Sequence, residues 1–129
     1  AVSLHSAIDK VRTSIMPFNE TFPLHDLAES LIYWYEKTQR HVTYEYVVWD
    51  GINDKKEDIK ALINFCKHIP CKVNLIEYNP IDDGDFQQAS SRAIDNYISN
   101  LEMHDIVVNV RRSRGKDIDA ACGQLANKS

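Results

Sequence analysis

The chain has 129 residues, 43% hydrophobic and 26% charged, with a net charge of -4, a length that fits one domain burying about two-thirds of the surface its unfolded form exposes. No apolar run approaches the ~20 residues needed to cross a bilayer, no charged segment leads into an apolar N-terminal stretch, and three cysteines are an odd number for a disulfide framework. These properties argue against a membrane span, a secretory leader and a disulfide scaffold, and point to a soluble protein in a reducing, cytoplasmic setting.

In chain order, Ala1 to Leu4 reads as a strand, followed by a short helix near Ile8 to Ile15. Leu24, Leu27, Ala28, Leu31, Ile32 and Tyr35 recur at the spacing of one helical face, which predicts a helix over 24–35. Val42 to Trp49 is a β-branched and aromatic run, expected as a strand with Glu45 on the same side as Thr43, Val47 and Trp49. Gly51 and Asn53 turn the chain, Asp54 and Glu57 suit a capping box, and Ile59, Leu62, Ile63 and Cys66 mark the inner face of a helix that Pro70 stops. A short strand from Lys72 to Ile76, a loop from Glu77 to Ser90, a helix defined by Ile94, Tyr97, Ile98 and Leu101, and a strand from Ile106 to Val110 complete the pattern.

Strand and helix alternate throughout, so the expected fold class is α/β, with parallel strands joined by right-handed crossover helices. Four such strands with helices on one side form an open part of a (β/α) barrel, residues 1–129 making one domain. The bare edges of an open sheet lead us to expect that the isolated chain self-associates. In parallel sheets functional groups collect at the C-terminal ends of the strands, here Ser3 and His5, Trp49 and Asp50, Glu77 to Asn79, and Arg111 to Arg114.

Beyond the last strand, Cys122 lies among Ala120, Ala121 and Gly123, small neighbours that leave a sulfur approachable. Arg111, Arg112, Arg114 and Lys116 precede it closely, and nearby positive charge favours the reactive thiolate. Taken alone, Cys122 reads more readily as a small buried hydrophobe with the arginines on a solvated face. Cys66 on an apolar helix face and Cys71 after Pro70 read as packing residues, and no cysteine spacing fits a cluster or zinc pattern. Glu45 reads as a buried, paired carboxylate as readily as a functional one. The Asn19-Glu20-Thr21 and Asn127-Lys128-Ser129 tripeptides match the glycosylation acceptor, a match we discount on compartment.

The run RRSRGKDIDAACGQL at 111–125 resembles the C-terminal signature of the radical SAM methyltransferases that modify carbon 2 of adenine in RNA, the RlmN and Cfr group. AVSLH at 1–5, VTYEYVVWDGIND at 42–54 and PCKVNLIEYNP at 70–80 extend the resemblance in the family's order, and Arg114-Gly115-Lys116-Asp117 is more similar to the RlmN type than to the Cfr type. The family's cluster-binding CxxxCxxC is absent, so the resemblance implies the C-terminal portion of a longer enzyme. Glu77 and Tyr78 depart from the Pro-aromatic pair that precedes the family's Asn-Pro, as does the acidic loop with Asp82, Asp83 and Asp85.

What the resemblance implies is specific. Ser3, Leu4, His5 and Asn79 match the positions that contact S-adenosylmethionine, and Cys122 matches the cysteine that is first methylated. A 5′-deoxyadenosyl radical then activates that methyl group for addition to the adenine ring of ribosomal RNA, with transfer RNA a further substrate, and a second, upstream cysteine releases the product through a disulfide. A 4Fe-4S cluster belongs to the whole enzyme with ligands outside this chain, no metal ligand is expected within it, and the isolated fragment is expected to be inactive. The net charge of -4 suits general RNA affinity poorly, which therefore falls to other parts of such a protein. Two competing hypotheses are a non-catalytic nucleotide or RNA-binding half-barrel and a Cys122 and His5 hydrolase. The hydrolase lacks an oxyanion-hole motif and an orienting acid.

Overall fold

The computed structural model describes residues 1–79 and 87–114. Its elements are β1 (Val2–Ser3), α1 (Asp9–Ile15), a 3-10 turn (Pro17–Glu20), α2 (Leu24–Thr38), β2 (Val42–Val48), α3 (Lys56–Cys66), β3 (Cys71–Asn79), α4 (Ser91–Met103) and β4 (Val107–Arg114). The four strands form one sheet in the order β1-β2-β3-β4, every pair parallel. The expected α/β class with crossover helices is the observed one. Cys122, Lys116 and the acidic loop with Asp82, Asp83 and Asp85 lie outside the described residues.

Strand pleating sorts side chains between two faces. Val42, Tyr44, Tyr46 and Val48 of β2 and Val73 and Leu75 of β3 point to one face, where Leu24, Ala28, Leu31, Ile59, Leu62, Ile63, Ile94, Tyr97 and Leu101 from the helices close the main core. Phe65, which the helical pattern did not single out, packs edge-on against Tyr44 at 5.6 Å. On the opposite face Val47, Trp49, Ile76 and Tyr78 form a smaller cluster that Ile15 and Ile52 cover in part. α2, α3 and α4 thus lie on one side of the sheet, as expected from the sequence, while Ile15 at the end of α1 reaches the other.

Several boundaries move. β3 runs through Asn79 instead of stopping at Ile76, because Tyr78 continues the alternation and is buried beside Trp49, with ring centroids 6.0 Å apart. β4 likewise runs on to Arg114, pairing residue by residue with β3 up to Asn79↔Arg114. The cap of α3 sits one residue later than expected: the Lys55 N–H donates to the Asp58 carboxylate at 3.1 Å, so Asp58 and not Glu57 closes the turn. Burial pushes the Asp58 carboxyl up while that backbone donor pulls it down. The reciprocal bond runs from the Asp58 N–H to the Lys55 carbonyl, since a lysine ammonium has no acceptor to offer.

Gly51 turns the chain after β2 with φ at 73°, a backbone conformation that an L side chain strains to adopt. The segment beyond it is tied to the core through Tyr97, whose hydroxyl donates to the Asn53 carbonyl and therefore accepts from the Tyr46 hydroxyl at 2.9 Å. Burial raises both phenols well above their ordinary range. Tyr97→Phe strands a buried carbonyl and a buried hydroxyl at once, and should lower stability by about 1–3 kcal/mol. A urea unfolding midpoint unchanged from wild type would contradict this.

Candidate functional site

The C-terminal ends of the strands gather at one rim, and the chain reaches it first at Ser3, Leu4 and His5. Ser3 ends β1 in register with Glu45. Leu4 is fully buried in the main core; its N–H donates to the Glu45 carbonyl at 2.9 Å. His5 adopts the left-handed backbone at φ 56° and is 5% exposed. Its Nδ1 accepts the Val47 N–H at 3.0 Å, a strand-end donor that would otherwise go unpaired. The proton of the neutral ring therefore sits on Nε2, which has no hydrogen-bond partner among the described residues. The ring meets Trp49 edge-on at 5.6 Å, and Trp49 meets Tyr78, so an aromatic row crosses three strand ends.

Two side chains hold this corner, and neither was singled out for it in the sequence. Arg12 of α1, only 4% exposed, donates from Nε to the Leu4 carbonyl at 3.0 Å, from Nη2 to the Ser3 carbonyl at 3.1 Å and from Nη1 to Asn19 Oδ1 at 2.8 Å. Asn19 hands the contact on, its Nδ2 donating to the Asp9 carboxylate at 3.1 Å and to Thr13 Oγ1 at 3.0 Å. That amide is thus occupied inside the protein, which reinforces the discount of the first glycosylation tripeptide. The second, at 127–129, lies outside the described residues. Asn53, fully buried, donates from Nδ2 to the carbonyls of His5 and Val47, both at 2.7 Å, and accepts the Trp49 N–H at 2.8 Å. The signal for Arg12 was a guanidinium placed between Ile8 and Ile15 on the apolar side of a helix.

Further down the same face, Ser3, Glu45, Asn74 and Asn109 are aligned across all four strands. Asn74 Nδ2 lies 3.4 Å from Glu45 Oε1, and Arg111 of β4 reaches back to Glu45 Oε2 at 3.7 Å. Glu45 is thus a paired carboxylate. Asn79 closes β3 opposite Arg114, on the same rim as His5.

Donor chemistry separates the two groups that the sequence implied. A hydroxyl at Ser3 and an imidazole N–H at His5 suit the hydroxyl, carboxylate and ring-nitrogen acceptors of S-adenosylmethionine. An iron-sulfur cluster does not fit the described residues. Cys66 is buried and Cys71 opens β3, at the opposite end of the sheet from the rim. The neighbouring Cys71 sulfur, and after it burial, hold the Cys66 thiol far up, and Cys71 donates to the Cys66 carbonyl at 3.6 Å. His25, Asp26 and Glu29 could share an ion, but His25 and Glu29 are an ordinary exposed one-turn pair on α2. A cavity of about 610 Å³ between β1 and α2, lined by Val2, Leu31, Trp34, Arg40 and His41, is also at the end away from the rim.

Burial, with the Arg12 cation as a lesser cause, pushes the His5 imidazole down to about 3 from an ordinary 6.5. The unfolded chain therefore binds the extra proton between those values, and the stability His5 contributes is complete above pH 6.5 and lost as pH falls toward 3. At pH 5 the loss should be on the order of 2 kcal/mol relative to pH 7.5. His5→Asn should flatten this part of the pH dependence of unfolding, although it lowers stability at neutral pH. Equal slopes for variant and wild type would show that His5 is not the titrating group.

No family model matches the chain. It is 67% identical over 128 residues to a probable dual-specificity RNA methyltransferase RlmN of Flavobacterium psychrophilum, a match that covers 99% of this chain and 37% of that protein. The protein of the same description from Christiangramia forsetii is 70% identical over 129 residues, covering 100% and 37%. Among solved structures, a radical SAM methyltransferase from Sphaerobacter thermophilus superposes with a TM-score of 0.81 at 36% identity over 95% of this chain and 36% of that one. A domain of pyruvate-formate lyase-activating enzyme from Bacteroides vulgatus shares the fold, with a TM-score of 0.64 at 14% identity over 84% and 63% of the two chains. The chain spans about 37% of the length of these curated relatives. Sequence and fold agree in likening nearly the whole chain to about a third of an RlmN-type radical SAM methyltransferase.

Proposed function

We propose that this chain is the C-terminal part of a cytoplasmic radical SAM enzyme that methylates carbon 2 of adenine in ribosomal RNA and in transfer RNA. Ser3, Leu4, His5 and Asn79 face S-adenosylmethionine in this reading, and Cys122 carries the methyl group. The observation that supports it most is the Ser3 to His5 turn, placed at the rim of a parallel sheet and held there by buried donors from two directions. Leu4 takes part through its place in the turn, since its side chain is committed to the core.

S-adenosylmethionine, with a cluster bound by another part of the protein, would supply both the methyl group and the radical that activates it. The residues here have simpler tasks. His5 and Ser3 bind and orient, the aromatic row of His5, Trp49 and Tyr78 limits water at the rim, and Arg111, Arg112 and Arg114 put positive charge close in sequence to Cys122, which favours its thiolate. Cys122 is the residue that accepts the methyl group, a thiolate being the nucleophile suited to take it from the sulfonium that S-adenosylmethionine would supply. A direct polar transfer to carbon 2 is closed because that carbon is not nucleophilic.

In the intact protein, Cys122→Ala should abolish RNA methylation and leave iron content unchanged, read by mass spectrometry of digested RNA together with iron analysis. Normal product from that variant would remove Cys122 from the reaction. The 129-residue chain alone should give no methylated RNA with S-adenosylmethionine and a reductant, and should form dimers or larger species through its open sheet edges. Light scattering that shows only monomer at high concentration would refute the second expectation.

A further inference from the structure

We propose that Arg12 and Asn53 are positioning residues of the cofactor site: between them they lock the Ser3 to His5 turn so that His5 offers one group, its Nε2–H, to a hydrogen-bond acceptor of the bound cofactor. The proposal rests on the cofactor role given to the turn above and adds the residues that set its geometry and the polarity of the contact.

The two grip the turn from opposite sides. Arg12 comes from the element that follows the turn and holds the carbonyls of Ser3 and Leu4 with two arms of one planar guanidinium. Its third arm is fixed by Asn19, and Asn19 in turn by Asp9 and Thr13, so the fork is itself immobile. Asp9 also accepts the Leu24 N–H at 2.9 Å, which ties the assembly to the start of α2. Asn53 comes from the loop after β2 and holds the carbonyls of His5 and Val47 while accepting from Trp49. Its carbonyl is held by Tyr97 of α4.

The consequence falls on the imidazole. With the His5 carbonyl pinned to Asn53 and the Val47 N–H aimed at Nδ1, a ring flip would set an N–H or C–H against that donor. The residue is also held at φ 56°, a conformation that needs its surroundings to maintain it. A histidine so constrained cannot alternate between donor and acceptor, as an exposed one can. Its partner on the cofactor must be an acceptor, such as a hydroxyl oxygen, a carboxylate or an unprotonated ring nitrogen.

A lysine cannot reproduce the two-carbonyl fork, and glutamine displaces the amide by one methylene, so Arg12→Lys and Asn53→Gln are the informative changes, with Asn53→Ala as the harsher one. S-adenosylmethionine binding is measured by calorimetry on the intact, cluster-loaded protein, alongside melting temperature and iron content. Leu62→Ala, on the buried face of α3 in the main core, serves as the control for general destabilisation. The expected result is binding weakened about tenfold or more in the Arg12 and Asn53 variants and within about twofold of wild type in Leu62→Ala, at equal iron content. Nitrogen NMR of histidine-labelled protein, with His5 identified from a His5→Gln sample, should show the single Nε2–H tautomer in wild type and a tautomer mixture in Asn53→Gln.

Undiminished affinity in both Arg12→Lys and Asn53→Gln, or an equal loss in Leu62→Ala, overturns the positioning role. If wild-type protein itself fails to bind S-adenosylmethionine, the cofactor reading falls. The lock is then judged on the NMR signals alone, and an unchanged tautomer in both Asn53→Gln and Asn53→Ala overturns it.

Discussion

Where parallel strands stop, their last carbonyls and amides lose the partners that the ladder gave them, and buried groups of this kind are costly to leave unpaired. In this chain β1 is two residues long, so nearly all of the turn that follows it faces that problem inside the protein. Asn53 and Arg12 meet it with side chains. One amide satisfies the carbonyls of His5 and Val47 and the amide of Trp49, and one guanidinium satisfies the carbonyls of Ser3 and Leu4. A buried cation is itself expensive, and Arg12 makes no direct hydrogen bond to a carboxylate among the described residues. Its balance comes at one remove, through Asn19 to Asp9. The rim keeps its shape because these polar groups are satisfied together.

How much of this was legible depends on the range of the interaction that decides each feature. α2 could be read because Leu24, Ala28 and Leu31 sit on one helical face whatever surrounds them. The end of β3 could not, because Glu77, Tyr78 and Asn79 ahead of Pro80 look locally like the start of a loop, and only Trp49 across the sheet makes Tyr78 a strand residue. The cap of α3 slipped by one position for a related reason. Asp54, Lys55, Glu57 and Asp58 offer two equivalent local pairings, and the packing of Ile59 and Leu62 chooses between them.

The site divides in the same way. Ser3, His5 and Asn79 are singled out as candidates by their likeness to a family motif and by their place at strand ends, both short-range features. The residues that hold Ser3 and His5 act across distance: Asn53 is 48 positions from His5, and Arg12 is eight from Leu4. An asparagine in a turn reads first as a turn residue. The one local clue, an arginine where a helix should bury an apolar side chain, gains meaning only when the carbonyls above it are known.

The two faces of the sheet then explain what the rim is for. On the helix side Tyr44, Tyr46, Val73 and Leu75 are sealed by α2, α3 and α4, as both faces of most parallel sheets are sealed. On the other side a band of Ser3, Glu45, Asn74 and Asn109 runs across all four strands below the aromatic row. A second apolar layer cannot cover that band without stripping water from a carboxylate and two amides, a cost that the Arg111 cation only partly offsets. Whatever covers this face must therefore be polar over the band and tolerate rings at the rim. Under the proposed function the cofactor meets both demands, with a flat base and with hydroxyl, amino and carboxylate groups. The sheet selects that chemistry before any single hydrogen bond to the ligand is considered.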